Sequence, residues 1–206
     1  MSQKYNDPRP LMVKIGRLMY DRFLTNTAGG NISCRAGDHI YISPRYAASR
    51  HRWQLTEEMI LVLDGELNVV EGDPRMVSRE AKMHFACYRH FSEINGVIHA
   101  HARYLSVFAA AGRPVPPSLE YLEKFGVVGV VPPLPSHSQE VADAVVEKLI
   151  PLRHKLEKNG LGFVLANHGA VTVGRDLADA YDTLERLEWS AHIALMSRLL
   201  PGEDAP

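Results

Sequence analysis

The chain has 206 residues, 46% hydrophobic and 23% charged, the balance of one soluble globular domain with a substantial core. A formal net charge of -1 gives no electrostatic case for nucleic acid or an anionic membrane surface, and no apolar stretch is long enough to span a bilayer. The two cysteines, Cys34 and Cys87, lack metal or redox spacing and read as reduced packing residues.

Residues 1–206 show no repeat, no low-complexity tract and no break in composition, so one domain is expected. The opening run Met1–Asp7 lacks an apolar signal core, which makes a cytoplasmic location the expectation. Pro8 and Pro10 precede a helix with Leu11, Ile15, Leu18, Met19 and Phe23 on one face. The Gly- and Asn-rich stretch Thr25–Asn31 then favours an irregular loop. Short β-type runs at Ile32–Arg35 and His39–Ser43 flank the turn Ala36-Gly37-Asp38 and predict a hairpin. Strands are expected at Met59–Leu63 and Leu67–Val70, on either side of Asp64-Gly65.

A helix is expected to open at Ser78-Arg79-Glu80, with Ser78 as N-cap, and to run to about Phe91. Val97–Ala100 reads as a strand, Tyr104–Ala111 as a small-residue helix and Val127–Val131 as a buried strand. A long helix from Ser138 to about Glu157 needs a kink or junction at Pro151. Phe163–Ala166 and Ala170–Val173 are strands around His168, and Leu177–Leu199 is a last amphipathic helix. Short strands with helices around them predict an α/β class with one central, mostly antiparallel sheet.

The chemistry centres on His99-Ala100-His101. An i, i+2 spacing on a strand puts both imidazoles on one face, which is half of a zinc-type site. His168, at the end of another apolar run, is the candidate third ligand. The alternative is three polar strand ends that never meet. His51, His90, His137, His154 and His192 have no partner at ligand spacing and read as surface or structural residues. His84, one turn after Glu80, is either a packing residue or a support for the site. Glu80 is the candidate acid/base, since a carboxylate beside a metal can ligate it or move a proton; an ordinary helix-start glutamate is the bland alternative.

Taken together, Asn26-Thr27-Ala28-Gly29-Gly30-Asn31-Ile32-Ser33, Ser78-Arg79-Glu80, His99-Ala100-His101 and Asn167-His168-Gly169 resemble, in order and separation, the motifs of the class II aldolase/adducin family. The resemblance spans the chain from its first helix to its last. It implies the family's three-layer fold, a Zn²⁺ (or Mn²⁺ or Co²⁺) site on His99, His101 and His168, and a homotetramer with the active site near a subunit interface. Glu80 matches the aldolase glutamate, where an epimerase carries aspartate, and the intact histidine triad argues against a metal-free, adducin-like interaction module. Tyr121 falls close to a tyrosine that, in an aldolase of the family, enters the neighbouring subunit's site as a proton donor; a packed or surface tyrosine is the alternative.

The departures concern the anion. Where family aldolases hold phosphate on small hydroxyl and glycine positions, this chain reads Ser43-Pro44-Arg45-Tyr46 and Ser78-Arg79. Arginine binds carboxylate or phosphate through a planar fork but needs more room than serine. Gly29, Gly30, Asn31, Ser43, Arg45, Ser78 and Arg79 are therefore the candidate substrate- or anion-binding residues, with solvent or a salt bridge as the alternative for both arginines. Residues 200–206 also lack the tail tyrosine of some family aldolases. The implied activity is reversible aldol cleavage of a small hydroxy-carbonyl substrate (a sugar, sugar phosphate or 2-keto-hydroxy acid) through an enediolate stabilised by the metal. A metal-dependent decarboxylase of a keto or hydroxy acid is the alternative.

Overall fold

The computed structural model describes residues 7–200. The expectations about the opening run and the tail fall largely outside them. The strands are β1 (Asn31–Ala36), β2 (His39–Ile42), β3 (Leu61–Leu63), β4 (Val69–Glu71), β5 (Gly96–Ala100), β6 (Val130–Val131), β7 (Leu161–Leu165) and β8 (Gly169–Gly174). The α-helices are α1 (Arg9–Asp21), α2 (Ala81–His90), α3 (Leu105–Ala111), α4 (Gln139–Leu149) and α5 (Leu177–Met196). The strands form one eight-stranded sheet in the order β4-β3-β2-β1-β5-β8-β7-β6. Every pairing is antiparallel except β6 with β7.

Alternation along the central strands sends side chains into two cores. On β1 and β5, Ile32, Cys34, Ile98 and Ala100 join the core that α1, α3 and α5 cover. Val97 of β5 and Val171 and Val173 of β8 join the one covered by α2 and α4. The result is helices, sheet, helices: the three layers of an α/β fold. Ile32, Val97 and Ile98 are fully buried, worth roughly 1.5–3 kcal/mol each, and they lock the central strands from which the histidines project.

Several local expectations need correction. On α1 the buried stripe is Met12, Ile15 and Met19, while Leu11 is exposed and Phe23, past the helix end, is 56% exposed. Ser78 is not the N-cap of α2. Glu80 holds that position without capping, because its carboxylate is drawn into the histidine cluster. The expected strand at Val127–Val131 shrinks to Val130–Val131; Val127 is 64% exposed and Val128 pairs only with Val115. The junction expected at Pro151 is present: the long helix divides into α4 and a 3₁₀ segment, Ile150–Lys155, since proline has no N–H for the helical ladder.

Candidate metal centre and cavity

His99 is the next-to-last residue of β5, His101 lies just past the strand's end, and His168 sits in the turn from β7 to β8. β5 and β8 are neighbours, with His99 opposite Val171 and Ala100 opposite Ala170. That pairing brings the two histidine-bearing segments together. One ligand atom from each imidazole lies within 4.8 Å of the others.

The tautomer of His99 follows from its partner. Nδ1 is 3.0 Å from the Ala170 carbonyl oxygen, which can only accept, so Nδ1 carries the hydrogen. In the neutral ring the Nε2 lone pair then faces two other groups, His101 Nε2 at 3.1 Å and Glu80 Oε2 at 2.8 Å. Glu80 Oε1 lies 3.0 Å from His168 Nε2. Lone pairs aimed at one another this closely need a proton or a cation among them. Nitrogens bound tetrahedrally to zinc at ordinary lengths sit about 3.3 Å apart, so the donor set fits a divalent cation of this size.

Electrostatics point the same way. Burial by itself would raise the Glu80 carboxyl. With a proton rather than a metal among the facing nitrogens, the charge of His99 and hydrogen bonds from His168 and His99 outweigh it, holding the group well below the usual carboxylate range. Burial, then the charges of His99 and His168, lowers His101 to about 4, so its ring stays neutral and available as a ligand at pH 7.

Two glycines shape the cluster. A Cβ on Gly29 would lie 2.7 Å from His101 Cε1, and one on Gly169 would lie 2.9 Å from His101 Cδ2. The imidazole therefore rests between two bare stretches of backbone. Asn31, opposite His99 in the β1–β5 pairing, donates from Nδ2 to Ser78 Oγ at 3.0 Å and to Glu80 Oε2 at 3.3 Å.

The cluster opens into a cavity of about 340 Å³. Gly29, Gly30, Asn31, Arg45, Ser78 and Arg79 line it along with Glu80, His101 and His168. Among the described residues neither Arg45 nor Arg79 forms an ion pair, and Arg45 Nε is buried without a partner. Two candidates lie elsewhere. Ser43 is fully buried with its hydroxyl accepting the Ile32 N–H at 3.1 Å, outside the cavity lining. Tyr121 is 51% exposed in the 3₁₀ segment Glu120–Phe125, also outside the lining of its own chain's cavity.

One residue corrects the sequence reading. His137 lines the cavity, with Nδ1 3.2 Å from Glu80 Oε1 but turned so that no hydrogen bond forms. It stands in the loop before α4 at a φ of 67°, and no spacing to another ligand-type residue marks it in the sequence.

Residues 11–195 match the family described as Class II Aldolase and Adducin N-terminal domain. The chain is 34% identical over 184 residues to an L-fuculose phosphate aldolase of Methanococcus maripaludis, covering 88% of this chain and 92% of that one. It is 32% identical over 193 residues to a 3-oxo-tetronate 4-phosphate decarboxylase of Haemophilus influenzae, covering 90% and 85%. A solved L-fuculose 1-phosphate aldolase superposes with a TM-score of 0.79 at 27% identity, over 97% of this chain and 92% of the other. The chain belongs to the class II aldolase/adducin family. Within that family it is an enzyme, a lyase of the metal-dependent class II aldolase type.

Proposed function

We propose that the protein holds Zn²⁺ on His99, His101 and His168 and catalyses reversible aldol cleavage of a small hydroxy-carbonyl substrate that carries an anionic group. The observation behind this reading is the set of imidazole nitrogens converging with the Glu80 carboxylate beneath an open cavity lined by two arginines that form no ion pair among the described residues. Mn²⁺ and Co²⁺ suit the same donors. A divalent cation there supplies Lewis acidity to substrate oxygens that acquire charge as the C–C bond breaks. The chain's own groups do the rest. Glu80, ionised and aimed into the cluster, delivers or removes the proton at the carbon left beside the carbonyl. Asn31 and the Gly29–Gly30 backbone help to orient the substrate, while Arg45, Arg79 and Ser78 bind its anion. His137 Nδ1 lies 3.2 Å from Glu80 Oε1, and a turn of its ring would let it share proton traffic with the carboxylate.

The proposed assembly is a homotetramer with the cavity near a subunit interface. Exposed apolar side chains, Trp189 and Val107 among them, support association, and exposed Tyr121 would act from a neighbouring subunit. Sedimentation of the protein would show the tetramer directly, and a monomer would reject this part of the reading.

A second reading, decarboxylation of a keto or hydroxy acid, is favoured by the two cavity-lining arginines and by the 32% identical decarboxylase. The test begins with metal content: about one ion per chain, lost in His99→Ala and His168→Ala. A stable protein that binds no metal would sink both readings. Product analysis over ketose 1-phosphates, 2-keto-4-hydroxy acids and 2-keto acids then separates them. Aldehyde release supports the aldolase, whereas carbon dioxide without aldehyde supports the decarboxylase.

A further inference from the structure

Glu80 stands at the start of α2 yet makes no capping bond to that helix. Its aim therefore depends on where α2 lies on the sheet. The hydrophobic contacts of α2 are non-directional and set its register only loosely. A stripe of polar side chains on β1 sets it more tightly. Asn31, Ser33 and Arg35 alternate along the strand with Ile32 and Cys34, whose side chains enter the core on the opposite face. Each polar residue grips a successive part of the helix.

Asn31 donates to Glu80. Ser33 Oγ lies 2.7 Å from His84 Nδ1 and 2.7 Å from the Tyr88 hydroxyl. Arg35 donates to the carbonyl oxygens of Tyr88, Phe91, Ser92 and Ile94, around the C-terminal end of α2. The periods agree: four helical residues advance about 6 Å and two strand residues about 6.7 Å. Positions 80, 84 and 88 thus run in step with β1.

His84 is costly as a packing residue. It is fully buried, and its Nε2 has no partner among the described residues. A leucine there would leave no orphaned nitrogen, and Ser33 would keep Tyr88 as its partner. What a leucine lacks is a directional bond one turn below Glu80.

We propose that the stripe Asn31–Ser33–Arg35 is a register rail for α2, and that Ser33 and His84 are positioning residues that set the Glu80 carboxylate against His99 and His168. The catalytic consequence rests on reading Glu80 as the proton-transferring group.

The experiment compares His84→Leu, His84→Asn and Ser33→Ala in the full-length metal-loaded protein. Asparagine can reproduce the bond from the Nδ1 position, whereas leucine cannot. For His84→Leu we expect metal content near the parent's and a Tm equal or higher. A crystal structure should show the Glu80 carboxylate displaced from its position in the parent's metal-loaded structure. With whichever substrate the product panel identifies, kcat should fall at least about tenfold while KM stays within about twofold, because displacements near 1 Å cost on that scale. His84→Asn should recover most of the lost kcat. If His84→Leu does not fold, Ser33→Ala carries the same expectation for Glu80 and kcat, with a lower Tm because His84 Nδ1 and the Tyr88 hydroxyl lose their partner. A folded His84→Leu or Ser33→Ala with Glu80 unmoved, or His84→Asn as impaired as His84→Leu, would overturn the proposal. The crystallographic comparison needs no substrate, so it decides the rail even if the wild type turns over nothing in the panel and the proposed reaction fails.

Discussion

Replacing Gly29 by alanine is a stringent test of the metal centre, because it adds one methyl group and removes no ligand. The new Cβ would stand 2.7 Å from His101 Cε1, where ordinary contact begins at 3.4 Å, so the ring must retreat by about 0.7 Å. Gly169 also packs close to the ring, since a Cβ there would meet His101 Cδ2 at 2.9 Å, so the room for a retreat is confined by backbone. Metal–ligand lengths tolerate only about 0.2 Å. Disturbing the packing that orients a ligand costs about 10–100-fold in metal affinity, equivalent to about 1.4–2.8 kcal/mol. Gly29 lies outside the left-handed backbone region, so alanine adds no torsional strain and the effect is steric. Chelator competition on purified protein measures the loss. Gly65→Ala is the control, since its Cβ would enter open space and affinity should not change. If Gly29→Ala bound zinc as tightly as the parent, the assignment of His101 as a ligand in this geometry would be refuted.

Three further outcomes are expected. Glu80→Gln should keep its metal but lose about 10²–10⁴-fold in kcat; steady-state kinetics alongside metal analysis would show this, and unchanged kcat would remove Glu80 from proton transfer. Arg79→Ser, which deletes a charge-assisted contact, should raise KM for the anionic substrate about tenfold or more, and parental kinetics would reject an anion-binding role. For pH, burial first and then the charge of His99 lower His84 to about 3, against 6.5 for a free histidine. The unfolded chain therefore takes up a proton below about 6.5 that the folded protein refuses until about 3, so stability falls as pH drops through that window. Tm measured from pH 7 to pH 4 should decline less steeply in His84→Leu than in the parent, and parallel curves would contradict this.

Sequence periodicity located most elements because it reports the local contest between burial and exposure. β1, β2, β5, β7, β8, α2 and α5 all lie close to where it places them. It failed where the outcome depended on distant partners. Val127–Val131 has a strand's composition, but the edge of the sheet accommodates only Val130–Val131 beside β7. Leu11 is as apolar as Met12, yet the rotation of α1 against the core buries Met12, and Phe23 falls beyond the helix end.

The same division holds for the site. Types and order of residues were enough to single out His99, His101, His168 and Glu80, because ligand chemistry restricts metal sites to few side chains and the i, i+2 spacing on a strand fixes a common face. Three matters were decided only by tertiary structure. The β1–β5–β8 pairing brings His99, His168 and Asn31 together across 137 positions of chain. The buried Ser43 hydroxyl is taken up by the Ile32 amide, while His137, which has no sequence signal, arrives beside Glu80. The aim of Glu80 itself depends on polar contacts between one strand and one helix 47 and more residues apart. Local sequence encodes which groups are chemically capable. Their separation in space is set by how strands pair and helices dock, and those contacts are made between residues far apart in the chain.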